Sequence, residues 1–245
     1  ESIAKKFVDE SHIQLHKFLN DETAANVLGD LHKVDAREGM FNPSIPPYET
    51  GVGQAWSIRG PTHKQRYLEL SAGQECGGEV SSLSDLKVKC LDSPAFQKLL
   101  SCMTKVAINS KRSAIRRFRP GLDYTLAHSG VETADYQLDA TLCLVEESDQ
   151  WGFGEVGGYD CYMVNDSEAE GPNNASAEVY RMTEDDDDDE TITLPATRNC
   201  LNLVLCNEGV MRFTKYLSAT APGSRWDVLT EYEITPQDDD EGIEL

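Results

Sequence analysis

The chain has 245 residues, of which 43 are Asp or Glu and 22 are Lys or Arg, giving a formal net charge of −21 at pH 7. That length allows one large β-rich domain or two small ones, in either case with a substantial core. No apolar run approaches the ~18 residues of a membrane-spanning helix and no signal-peptide pattern is present, while the acidity argues against nucleic acid as a partner.

The chain opens at Glu1 on a polar helical stretch without a Met, which reads as a piece of a longer protein. Residues 1–34 carry two helical patterns: the apolar set Ile13, Leu15, Phe18 and Leu19, then Val27, Leu28 and Leu31 after a cap at Asn20 or Asp21. Dense Pro, Gly and Asn from Phe41 to Gly53 mark an irregular connector, so residues 1–55 are expected to form a helical appendage and linker. A third helix is predicted over Ser93–Val106, opened by Pro94 in its first turn and carrying Phe96, Leu99, Leu100 and Met103 on one side. Short β-prone runs between turn residues follow at 113–118, 123–128, 140–146, 159–164, 191–194, 200–206, 210–217 and 225–234. Strands of this number and spacing behind a few helices predict a mainly β domain over 56–236, a β-sandwich or jelly-roll-like barrel with helices packed on one side.

Two segments concentrate the acidity. Between Asp166 and Glu190 there are 11 acids and one base, Arg181, and the tail from Asp238 to Glu244 adds 5 acids, leaving −6 for the rest of the chain. Like charges in low-complexity runs repel one another and bury nothing, so the insert 165–190 and the tail 237–245 are expected to be disordered and solvated.

The seven Cys residues are irregularly spaced, lack any Cys-x-x-Cys pair, and in several cases sit inside apolar strands such as TLCLV and NLVLC. Buried free thiols explain this better than disulfides or zinc, and point to an intracellular protein. Gly152, Gly154 and Gly157 match Gly-x-Gly-x-x-Gly, but a β-prone run follows them where a dinucleotide loop needs a helix, so they read as a hairpin turn. His12 and His16 lie four apart without a third zinc ligand. From Met103 to Leu122 there is no acid against six bases. Four of these, Lys111, Arg112, Arg116 and Arg117, are the candidate partner-binding residues, the alternative being that the stretch pairs with the protein's own acids. A ribosome- or RNA-binding module using residues 105–119 is a competing reading.

Residues 118–130, FRPGLDYTLAHSG, have the look of the first metal-binding strand of an iron(II)/2-oxoglutarate oxygenase, in which the His is followed two residues later by Asp or Glu. Here Gly130 follows His128, and no His occurs downstream, so two of the three ligands of a two-His, one-carboxylate triad are missing. One imidazole cannot hold iron. His128 and Gly130 therefore read as a degenerate site in a domain with no catalytic residues and no metal, a residual oxygenase with an unusual ligand set being the enzyme alternative.

Taken in order, WSIRGPTHKQRYL (56–68), FQKLL (96–100), RFRPGLDYTLAH (117–128), GGYDCYM (157–163), NLVLCNEGVMRFTKYLS (202–218) and RWDVLTEYEI (225–234) resemble the C-terminal half of the ribosomal prolyl hydroxylase family. The resemblance implies a double-stranded β-helix of the jelly-roll, cupin-like type, second of two in tandem. Only the first would carry Fe(II) and 2-oxoglutarate, leaving no cofactor in this chain. It places His128 where a catalytic copy has its first ligand, Gly130 where it has the carboxylate, the strand VMRFTKYLS where it has the distal His, and Arg225 where it binds the co-substrate carboxylate. The partners it implies are the chain's own N-terminal oxygenase domain, ribosomal or translation factors, and, in fungal members, a sterol-response transcription factor whose degradation it promotes under control of an inhibitory nuclear protein. Nucleus and cytoplasm are the corresponding locations.

Overall fold

Apolar residues recur at every second position through most of the later strands, and in the computed structural model this period sorts side chains onto two faces of a twisted sheet. The structure describes residues 3–53, 55–71, 80–129, 136–152, 154–164, 191–207 and 209–236. The acidic insert 165–190, the tail 237–245 and Gly130 lie outside them.

In chain order the elements are α1 (Ile3–Glu10), β1 (His12–His16), α2 (Asp21–Arg37), β2 (Trp56–Arg59), β3 (Gln65–Leu70), α3 (Ser81–Leu86), which runs into a π-helical turn (Lys87–Leu91), and α4 (Pro94–Thr104). Then come β4 (Val106–Phe118), β5 (Tyr124–Thr125), β6 (His128–Ser129), β7 (Tyr136–Leu144), β8 (Asp160–Val164), β9 (Ile192–Leu194), β10 (Cys200–Asn207), β11 (Val210–Thr214) and β12 (Arg225–Pro236). Helices α2 and α4 begin as their capping residues dictate: Asn20 accepts the Thr23 amide at 2.9 Å, and Ser93 accepts that of Phe96 at 3.1 Å ahead of Pro94.

All pairings are antiparallel. The larger sheet runs β1-β10-β7-β12-β4-β3-β2, with β5 also on β3, and the smaller runs β6-β11-β8-β9. From β6 onward the chain passes back and forth between the sheets, which is the winding of a double-stranded β-helix. On one face of the larger sheet Leu138, Leu142, Leu203, Trp226, Val228 and Tyr232 join Phe7, Val27, Leu31, Leu83 and Leu100 from the helices in the main core. The other face looks toward the smaller sheet.

The N-terminal reading needs correcting. Ile13 and Leu15 belong to a strand on the edge of the larger sheet, paired with Leu203 and Leu201. Leu15, Phe18 and Leu19 have the helical spacing i, i+3, i+4, whereas Ile13 and Leu15 have the spacing of a strand, and the open edge of β10 decides between them. Residues 1–55 are also no appendage, because α1 and α2 supply part of the main core. Strands β2 and β3 were missed: Trp56–Arg59 alternates but is only four residues long, and Gln65–Leu70 mixes apolar and charged residues without clean alternation. Gly157, in the predicted turn, has φ +71° and lies so close to the Tyr216 carbonyl that a Cβ would sit 1.9 Å from that oxygen. Glycine there is a packing requirement, and β8 follows where a cofactor loop needs a helix. Among the described residues no helix is long and apolar enough to cross a membrane.

Candidate functional site between the two sheets

The inward side chains of the barrel are polar to an unusual degree. β4 contributes Arg116, β7 Asp139 and Thr141, β8 Asp160, β11 Arg212 and Thr214, and β12 Arg225, Asp227 and Glu231. Arg225, Asp227 and Asp139 are fully buried. Charges so placed persist only when paired. Arg116 binds Asp227 through two bonds of 2.8 and 2.9 Å. Arg225 reaches Asp160 at 2.6 Å and Asp227 at 3.0 Å and donates also to the Gly158 carbonyl. Arg212 crosses from the smaller sheet to Asp139 and Glu231 of the larger. Between them remains a cavity of about 20 Å³ lined in part by His128, Arg116, Tyr162 and Thr214, enough for a single water.

His128 sits opposite Arg212 in the register of β6 and β11. Its Nδ1 donates to the Leu126 carbonyl at 3.0 Å, leaving Nε2 as the acceptor, and the Arg212 Nε lies 3.5 Å from that atom. The imidazole is thus in the tautomer a metal ligand uses, with its lone pair facing a guanidinium. His128 remains in contact with solvent; its partial burial, and then the nearby cations Arg212 and Arg116, lower its pKa against the opposing Leu126 hydrogen bond. Burial disfavours the charge on Arg212, but Asp139 and Glu231 outweigh it and raise that pKa well above the ordinary arginine value.

These residues do not fit an iron centre. A metal held by His128 would lie about 2 Å from Nε2, in the direction from which Arg212 approaches, and the carboxylates that could complete a ligand set are committed to arginines. Among the described residues no three His, Cys, Asp or Glu side chains converge to hold a metal ion. Arg225 does not suit a co-substrate carboxylate either, because it is fully buried against two carboxylates of the protein itself.

The candidate partner-binding residues separate. Arg116 is buried on Asp227. Arg117, on the opposite face of β4, is buried on Asp35 at 2.7 Å and Glu38 at 2.6 Å. Neither offers a surface to a partner, which corrects the reading of these two as interface residues. Lys111 is paired with Asp92 at 2.9 Å, and Arg112, with 80% of its side chain exposed, touches Glu231 at 3.0 Å. The stretch lacks acids in sequence because its acids arrive from other strands and helices. Arg212, Asp139 and Glu231 were not singled out from the sequence. On alternating strands they look like solvent-facing charges, and the missing signal is the second sheet that covers them. Burial raises the Cys143 and Cys200 thiols to about 12, and the six described cysteines are free.

The charged interior predicts acid lability. Burial pushes the Asp160 pKa up, but Arg225 and then Arg116 outweigh it and hold the carboxyl below its ordinary range. Glu231 is likewise lowered against its burial, chiefly by Arg212. A lowered folded-state pKa means stability that is complete above the unfolded value, about 4, and disappears as pH falls through the lower folded values. The urea midpoint should therefore begin to decline at about pH 6.5, where His128 with its lowered folded-state pKa is protonated first in the unfolded chain, and drop steeply below about pH 4 as the carboxylates titrate. A midpoint unchanged in that acid range would show that these pairs contribute no stability.

A family model described as the oxoglutarate and iron-dependent oxygenase degradation C-terminal domain matches residues 1–240. The chain is 31% identical over 237 residues to prolyl 3,4-dihydroxylase OGFOD1 of Ostreococcus tauri, covering 94% of this chain but 44% of that protein. It thus spans less than half the length of this relative. Among solved structures it is similar to a Trichoplax adhaerens prolyl hydroxylase in complex with a hypoxia inducible factor oxygen degradation domain peptide, with a TM-score of 0.53 and 11% identity over 94% of this chain and 87% of that one. It is similar also to the non-heme alpha ketoglutarate dependent epimerase SnoN, with a TM-score of 0.52 and 10% identity over 94% of this chain and 81% of that one. At such identities the structural likeness speaks for the double-stranded β-helix alone. The family match, the dihydroxylase relative and the winding of the barrel agree, and the chain belongs to the oxoglutarate and iron-dependent oxygenase degradation C-terminal domain family.

Proposed function

We propose that this chain is the non-catalytic, protein-binding half of a prolyl hydroxylase, regulating the turnover of a client protein while Fe(II) and 2-oxoglutarate act in an N-terminal oxygenase domain. The observation that carries this reading is the barrel centre, where an oxygenase-like shell holds Arg212 against His128 and commits its carboxylates to arginines. The partners in this reading are the N-terminal domain, a transcription factor, an inhibitory nuclear protein and ribosomal or translation factors, met in nucleus and cytoplasm. Of the four candidate partner-binding residues, the exposed Arg112 and the part-exposed Lys111, on opposite faces of β4, are what remains for contact.

Calorimetric titration of the purified chain with Fe(II) under anaerobic conditions should give no stoichiometric binding, and incubation with 2-oxoglutarate should yield no succinate. One equivalent of iron, lost in His128→Ala, would overturn the non-catalytic reading. The regulatory half is tested by pulse-chase of the client in cells whose hydroxylase carries or lacks this domain. Its half-life should lengthen several-fold without the domain, and an unchanged half-life removes the degradation role.

A further inference from the structure

We infer that the centre of the barrel is a cation site occupied by the chain's own Arg212, and that it is shaped for a planar guanidinium rather than for a metal ion. Each guanidinium nitrogen of Arg212 meets one partner: Nε faces His128 of β6 at 3.5 Å, Nη1 donates to Asp139 of β7, and Nη2 donates to Glu231 of β12. Three strands from two sheets thus converge on one cation. The partners are themselves oriented. Asp139 also accepts from Tyr162 at 3.3 Å and from Gln137 at 2.7 Å, Glu231 is touched by Arg112 at 3.0 Å, and His128 is fixed by the Leu126 carbonyl.

The shape of this cradle decides what it takes. A metal ion draws its ligand atoms to about 2 Å from one point, whereas a guanidinium spreads its donors around the edges of a plane. One imidazole and two carboxylates are a donor set suited to a divalent ion by chemistry, yet here they stand around a planar group and do not converge on a point. A cation tethered to β11 cannot be removed by a chelator. The fold of this domain is then independent of iron supply, so that a regulatory domain stays intact when its catalytic counterpart is starved of metal. This rests on the non-catalytic reading above, but its test is a stability measurement that a failure of client binding would leave unchanged.

The experiment is thermal melting of the parent chain, Arg212→Ala and Arg212→Lys, in chelator, in millimolar guanidinium chloride against matched potassium chloride, and in Mn(II), Co(II) or Zn(II). The parent should melt at the same temperature in chelator and in metal. Arg212→Ala should melt several degrees lower and recover part of the loss in guanidinium, because a ligand that binds only the folded state stabilises it by mass action. That recovery should vanish when Asp139→Asn is added. Arg212→Lys, which keeps the charge but loses the fork, should fall between the two and gain nothing from guanidinium; it decides the matter should the Ala variant not fold. Full stability in Arg212→Lys would show that the site reads charge alone. Stoichiometric divalent metal in Arg212→Ala, stabilising it more than guanidinium does, would show a metal-shaped site, and an Arg212→Ala as stable as the parent would show no site at all.

Discussion

Asp35→Ala is expected to lower the unfolding free energy by about 3–5 kcal/mol, the cost of breaking a buried ion pair together with the other hydrogen bonds its carboxylate accepts. Asp35 lies near the end of α2 with 2% of its surface exposed. It accepts from Arg117 Nη2 at 2.7 Å, from the Ser224 amide at 2.7 Å and hydroxyl at 2.8 Å, and from Trp226 Nε1 at 3.3 Å. One carboxylate therefore ties a helix of the N-terminal segment to β4, to β12 and to the loop before it. Arg117 is packed over the Trp226 ring, 4.4 Å from its centroid, and cannot reach water when its partner goes. Glu38 would remain on its other side, which is why the loss is not expected to exceed that range. As a control, Asp85→Ala removes an exposed pair with Lys89 and should change nothing measurable. Urea unfolding of both variants is the measurement. An Asp35→Ala midpoint equal to that of Asp85→Ala would mean that α2 is not anchored through this carboxylate.

Asp35 also shows where sequence reading stops. Its partners lie 82, 189 and 191 residues away, and no local pattern marks an Asp on a helix as a buried node. By contrast RWDVLTEYEI reads as a strand at once, because Trp226, Val228, Tyr232 and Ile234 alternate with polar residues. What alternation cannot tell is whether the polar face meets water or a second sheet. Arg225, Asp227 and Glu231 have the pattern of a solvated edge and are instead the inner wall of the barrel, facing Arg116, Asp160 and Arg212. His128 stood out in the sequence because a His-x-Asp pair is a pattern of short spacing. Its contact with Arg212 did not, because Arg212 becomes the neighbour of His128 only through the antiparallel register of β6 and β11. The order of strands thus follows from local propensity, and the identity of the site from contacts that only the closed barrel creates.

The same contacts change what charge reversal in the basic stretch should do. Read as a surface, Lys111, Arg112, Arg116 and Arg117 reversed to Glu would weaken a partner complex by about an order of magnitude through lost complementarity, with the domain still folded. In the barrel, Arg116→Glu sets a carboxylate against fully buried Asp227, and Arg117→Glu sets another against Asp35 and Glu38. Each change removes a buried pair and adds repulsion where water cannot screen it. Two losses of about 3–5 kcal/mol each take up most of the roughly 5–15 kcal/mol of a folded protein. The variant carrying both should therefore be unfolded, with the far-ultraviolet circular dichroism of a coil and no cooperative melt. Lys111→Glu with Arg112→Glu should fold, since Arg112 is mostly exposed and Lys111 keeps a quarter of its side chain in contact with solvent. A cooperative melt in the Arg116→Glu, Arg117→Glu variant would show that both guanidinium groups reach water and that neither buried pair holds the sheets together. If instead only the Lys111→Glu, Arg112→Glu variant folds, any loss of client binding measured on it belongs to the surface of β4, because the paired arginines beneath it are untouched.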